Sequence, residues 1–171
     1  MLTSFFSYTL WGLALFYLHE LLLYPEVFLR PLAPLLFYAG LRGSLPVAFA
    51  LAVVLGLLQD SYALTPFGVH VVGSLVLVMT ARVARERFLL KSAVPLMLAM
   101  LAALLLQELG VRLILALFGS REVLLEDLSW PRGLELIVTA VVTPAFFALF
   151  RAWDNLLKRW GRPRPWRSAS W

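Results

Sequence analysis

Long apolar runs, broken by short polar or proline-bearing stretches, set the pattern of this chain. A helix needs about 20 predominantly apolar residues to cross a hydrocarbon core. The pattern predicts six helical segments of that kind. The first runs from Leu2 to Leu23, with His19 and Glu20 closing it at a water interface. No charged side chain falls between Met1 and Leu18. A basic start and a small-residue cleavage site are both missing, which argues against a cleaved signal peptide. Trp11 lies mid-segment, a position for helix packing.

The second segment, Glu26 to Leu41, is the weakest. Arg30 precedes Pro31 and Pro34, and each proline removes a backbone donor. The apolar core from Leu32 to Leu41 is short for a span. It reads either as a kinked, short transmembrane helix starting near Glu26 or as a re-entrant segment covered by neighbouring protein. The first reading gives the more consistent charge pattern.

Ser44 to Gln59 is the third helix, with Pro46 in its first turn. Ala48, Ala52 and Gly56 share one face, and small residues so spaced let helix backbones approach closely in lipid. Packing within the chain is the ordinary role of such a face, and a partner helix is the sharper alternative. Pro66 to Ala81 is the fourth helix, with His70 one turn in and Gly68 and Gly73 thinning one side. The fifth begins at Ser92 and runs to Leu106. Gln107, Glu108 and Arg112 follow, then an apolar stretch from Leu113 to Phe118 closed by Gly119, so the helix either runs on beyond the membrane or bends to lie in the interface. Glu108 and Arg112 stand in the favourable acid-first order for an i,i+4 ion pair. After a polar loop from Ser120, Pro131 starts the sixth helix, Arg132 to Trp153. Glu135 suits the dipole of its first turn. Pro144 predicts a kink, and Ala140, Pro144, Ala148 and Ala152 share a face.

Composition agrees with this pattern. Of 171 residues, 61% are hydrophobic and 15% charged, against roughly 45–50% apolar in soluble domains. The chain has no cysteine, which excludes disulfides and thiolate metal sites. The net charge of +5 resolves into a topology. With six spans and an inside N-terminus, eleven Lys and Arg residues fall on the inner side and four, Arg30, Arg112, Arg121 and Arg132, on the outer side. That is the positive-inside bias. The fold class is therefore an all-α integral membrane protein, a six-transmembrane-helix bundle with both termini cytoplasmic. Residues 1–158 form the membrane domain. Residues 159–171 form a basic tail with interleaved Trp160, Trp166 and Trp171, suited to an anionic membrane surface rather than to nucleic acid.

The stretch from Gly56 to His70 draws attention next. Asp60 is the only acidic residue between Val27 and Ala84, and a carboxylate near membrane depth is costly. Thr65 reads as an N-cap and Pro66 as the first helical residue, which places Asp60 beside a positive helix end. Asp60 then either satisfies the backbone of this turn or carries a function. Asp60 with His70 could also act as an acid–base pair, but no nucleophile or oxyanion site stands beside them in the sequence. A phosphate loop, a paired-His zinc motif and a nucleophile elbow are all absent, so neither metal nor cofactor is expected.

The run Gly56-Leu57-Leu58-x-Asp60 followed by Pro66-Phe67-Gly68, within a chain of this size and span pattern, resembles the bacterial rod shape-determining protein MreD family. The resemblance implies a non-enzymatic scaffold in the bacterial cytoplasmic membrane. It implies work with a single-pass MreC-like protein, the actin-like MreB filament, the RodA glycosyltransferase and a class B penicillin-binding protein in lateral peptidoglycan synthesis. Small-residue faces and an outward-side groove would hold a partner helix. The interface residues this suggests are Ala48, Ala52, Gly56, Asp60, Pro66, Gly68 and His70. A second resemblance, in length and hydropathy, is to the substrate-binding membrane subunits of energy-coupling-factor vitamin transporters. Those carry an Ala-x-x-x-Ala docking pattern on the first helix, where this chain has only Ala14. Tyr62, His70, Trp130 and Glu135 would have to line the pocket.

Overall fold

The segment that looked weakest in the sequence is the centre of the molecule. In a computed structural model, which describes residues 2–19, 29–63, 66–87, 92–117 and 130–160, it forms α2, Leu32–Arg42. Every residue from Leu32 to Gly40 is buried. Around it stand α1 (Leu2–Leu18), α3 (Leu45–Tyr62), α4 (Val69–Arg87), α5 (Ala93–Leu117) and α6 (Trp130–Trp160). These are the six helices of the described residues, which include no strand.

The 11 residues of α2 rise only about 16 Å, roughly half a hydrocarbon core. This departs from the kinked span expected from Glu26, whose own position lies outside the described residues. An apolar run cannot say whether lipid or protein surrounds it. Here protein does, so the helix needs no more length than its neighbours cover. Gly40 makes the fit possible, since a Cβ there would lie 2.7 Å from the Ala81 Cβ and 3.0 Å from the Val78 carbonyl oxygen. The α2 and α4 backbones therefore cross at a distance only glycine allows.

Three helical stretches, Leu45–Tyr62, Ala93–Leu117 and Arg132–Leu157, are long and apolar enough to cross a membrane. The apolar parts of α1 and α2 are shorter, and α4 carries Arg82, Arg85 and Glu86 in its last turns. Large apolar side chains such as Leu98, Leu105, Leu109, Leu113 and Val141 point outward. A rim of that kind suits hydrocarbon rather than water.

Contacts at the helix ends fix the directions. Tyr8, near the start of α1, bonds Asp154, near the end of α6. Arg82, late in α4, donates to the Gly43 carbonyl just after α2. At the opposite end Tyr17 and Tyr62, late in α1 and α3, meet hydroxyl to hydroxyl at 3.3 Å. Successive helices thus run in opposite directions. Trp11 stands edge-on to Phe150 and Trp153, the helix-packing role its mid-segment position suggested.

Several boundaries differ from expectation. The third helix runs on past Gln59 to Tyr62, so Asp60 lies in its last turn. The fourth begins at Val69 rather than Pro66, for a reason set out below. The fifth, by contrast, runs on through Gln107 to Leu117, which is the first of its two readings. The sixth starts at Trp130, which moves Glu135 out of the first turn. Thr65, residues 118–129 and the tail from 161 lie outside the described residues.

Candidate functional site

Asp60 closes one end of the α3–α4 pair. Its side chain has no exposed surface. One carboxylate oxygen, Oδ2, accepts the Gly68 backbone N–H at 2.9 Å. The other, Oδ1, accepts the His70 backbone N–H at 2.9 Å and lies 2.9 Å from His70 Nδ1. The first turn of a helix has N–H groups with no partner inside it. Asp60 supplies them from the preceding helix, and its negative charge lies at the positive end of the α4 dipole.

This is why Pro66 is not the first helical residue. The cap arrives from α3 across the turn, so the chain must reverse before α4 begins. Pro66 and Phe67 lead into Gly68, which has φ +98°, a left-handed conformation that glycine adopts at little cost. Val69 N–H then reaches the Pro66 carbonyl at 3.4 Å, and the helix proper follows with Val72 N–H on the Gly68 carbonyl at 3.0 Å.

The small-residue face leads into this cap. Ala48 and Ala52 are wholly buried. A Cβ on Gly56 would lie 2.6 Å from the Val71 Cα, so at that point the face seats the chain's own α4. Asp60, one turn on, belongs to the same line. Asp60, Pro66, Gly68 and His70 therefore meet in one turn, while Ala48, Ala52 and Gly56 form the packed stem beneath it.

A second cluster gave no local signal in the sequence beyond the Glu108–Arg112 spacing. Arg30, just ahead of α2, places Nη1 3.0 Å from Glu108 Oε2 and Nε 3.0 Å from Glu135 Oε1. Its backbone N–H donates to Thr139 Oγ1 at 3.1 Å. Glu108 also faces Arg112 at 3.5 Å and Arg132 at 3.6 Å. Burial works against the Arg30 charge, but the Glu135 and Glu108 carboxylates outweigh it and raise its pKa. Glu135, expected to answer its own helix dipole, instead ties α6 to the start of α2.

A third hold lies at the other end of the bundle. Tyr8 and Tyr38 donate to the two oxygens of Asp154 at 2.8 and 2.6 Å. Trp153 Nε1 donates to Ser7 Oγ at 2.7 Å. On the outer face of α4 and α5, an open groove of about 370 Å³ is lined by Val72, Leu75, Val76, Met79, Thr80, Val83 and Leu106. Its one hydroxyl, on Thr80, donates to its own helix at the Val76 carbonyl.

The family model of the rod shape-determining protein MreD matches residues 1–153. The chain belongs to the MreD family. Neither the curated proteins nor the solved structures hold a match. The match spans every described helix up to the Asp154 hold, so the Asp60 cap and the Arg30 hub both lie within the MreD region. The MreD family is a shape-determining one and is not a known enzyme family. Both Asp60 oxygens accept backbone N–H groups of the α4 start, so this carboxylate caps the helix. Among the described residues no three His, Asp or Glu side chains are grouped to hold a metal ion.

Proposed function

We propose that this MreD-family protein is a non-enzymatic scaffold of the bacterial cell-elongation complex. It sits in the cytoplasmic membrane as a six-helix bundle with both termini inside, the short α2 completing its crossing enclosed by the other helices, and residues 159–171 form a basic tail at the inner surface. The alternation of helix directions and the excess of Arg and Lys at one end support that orientation. The Asp60 cap and the Arg30 hub then lie on the outer side, where they hold the ends of α3, α4, α5 and α6 in one arrangement. The partners are a single-pass MreC-like protein, the RodA and class B penicillin-binding protein pair, an MreB-like filament and membrane lipids.

The observation that carries this reading is the family match across residues 1–153. The geometry deepens it. The Ala48–Ala52–Gly56 face packs inside the chain, so a partner's transmembrane helix has the open α4–α5 groove as its seat. Asp60, Pro66, Gly68 and His70 act on that interface by fixing where α4 begins. Expression of the wild-type chain in rod-shaped cells that lack their own MreD-family protein should restore rods. Spherical cells despite full membrane expression would contradict the scaffold role.

A further inference from the structure

α6 is held at its two ends and weakened between them. At the outer hold, Glu135 and Thr139 grip Arg30 through its guanidinium and its backbone N–H. At the inner hold, Asp154 takes the hydroxyls of Tyr8 and Tyr38. Arg30 precedes the short helix α2 and Tyr38 lies within it, so both holds act on one buried rod.

The middle of α6 lacks that grip. Pro144 lies inside the helix and cannot donate to the Ala140 carbonyl one turn back. Thr139 and Thr143 donate their hydroxyls back to the carbonyls of Glu135 and Thr139, each at 2.7 Å. Back-bonding of this kind bends helices. Thr139 joins the two features, because the hydroxyl that bonds back also accepts the Arg30 N–H. Beyond the proline, Phe147 and Phe150 meet the Tyr38 ring, Phe147 also meets Phe37 and Phe150 meets Trp11, all by ring packing. Such contacts tolerate rotation better than a bidentate ion pair does.

We propose that α6 is a lever pivoting at Thr143–Pro144, which couples the Arg30 hub at one end of the bundle to the Asp154–tyrosine hold at the other. Loosening of the hub lets the outer half of α6 turn. The pivot passes the turn to the inner half, where the Asp154 carboxylate shifts against Tyr8 and Tyr38. α2, packed on every side, is the fixed rod against which the lever moves. The device lies within this one chain and does not depend on which partners it binds.

The chain has no cysteine, so paired spin labels can be placed without background. Asn155→Cys on α6 and Glu86→Cys on α4 occupy exposed inner-end positions. The 11 residues from Pro144 to Asn155 make an arm of about 16 Å. A pivot of about 20°, the size of a proline kink, moves its end by roughly 6 Å. Distances would be measured in nanodiscs for the labelled chain, for Glu135→Gln and Thr139→Ala in it, and for each of these combined with Pro144→Ala. Either hub variant suffices, since both keep or reduce side-chain volume. The lever predicts that the hub variant shifts or broadens the inner distance by several Å and that Pro144→Ala removes the shift. An unchanged inner distance in both hub variants would overturn it. So would a shift that survives Pro144→Ala.

Discussion

Asp60 accepts the backbone N–H of His70 across the α3–α4 turn at 2.9 Å. A buried carboxylate on one helix thereby starts the next. Asp60→Ala removes the acceptor for Gly68 and His70 at once. Loss of an N-cap costs about 0.5–2 kcal/mol, and a buried donor left without a partner about 1–3 kcal/mol. Asp60→Ala should therefore destabilise the protein by about 2 kcal/mol or more, read as a drop of several degrees in Tm in detergent. Asp60→Asn keeps one acceptor oxygen and should lose less. An unchanged Tm in Asp60→Ala would show that the cap contributes nothing.

Gly56 lies against Val71 so closely that a methyl group cannot enter without moving backbone. Gly56→Ala should push α3 from α4 and cost about 1–3 kcal/mol, the usual range for overpacking. Gly68→Ala tests a different property of the same turn. Space is open around Gly68, so its cost comes from the positive φ and should be smaller, about 1 kcal/mol. If Gly68→Ala were the more damaging of the two, close helix packing would not be what holds this pair.

Arg30 joins α5 and α6 to the start of α2 through Glu108 and Glu135. Breaking a buried pair costs about 3–5 kcal/mol, and an exposed pair is worth about 0–1 kcal/mol. The Arg30 side chain is 25% exposed, and Glu108 retains Arg112 and Arg132 nearby. Arg30→Ala should fall between these limits, at about 2 kcal/mol. Arg132→Ala, with a side chain 42% exposed, should cost about 0–1 kcal/mol. Thermal melts of the two variants in one detergent check the order, and equal losses would remove Arg30 from the centre of the hub.

The sequence showed most clearly what is local. Small residues four apart, an isolated acid and a proline–glycine turn stand within 21 residues of one another, from Ala48 to Gly68, and they meet in one feature of the fold. The start of α4 was misplaced because its cap does not come from the adjacent Thr65 or from a proline at the first helical position. It comes from Asp60 on another helix, and no pattern inside α4 records that. Glu135 misled for the same reason, since its partner Arg30 lies 105 residues away. The Tyr8–Asp154 and Tyr38–Asp154 bonds join positions 146 and 116 apart and leave no trace in periodicity. α2 shows a further limit. An apolar run wrapped in protein reads the same as one wrapped in lipid, and two prolines made the core of the molecule look like its weakest span.

As the proposed scaffold, this chain works by holding a partner in the membrane. Co-purification in mild detergent with the single-pass MreC-like protein of the same organism tests it most directly, with Met79→Trp as the variant that fills the α4–α5 groove. The wild-type chain should bring down its partner in stoichiometric amount and bind no vitamin. Met79→Trp should fold, with an unchanged melting curve, and lose the partner. A wild-type chain that purifies alone and binds a small vitamin tightly would contradict the scaffold account and place the protein with the transporter subunits.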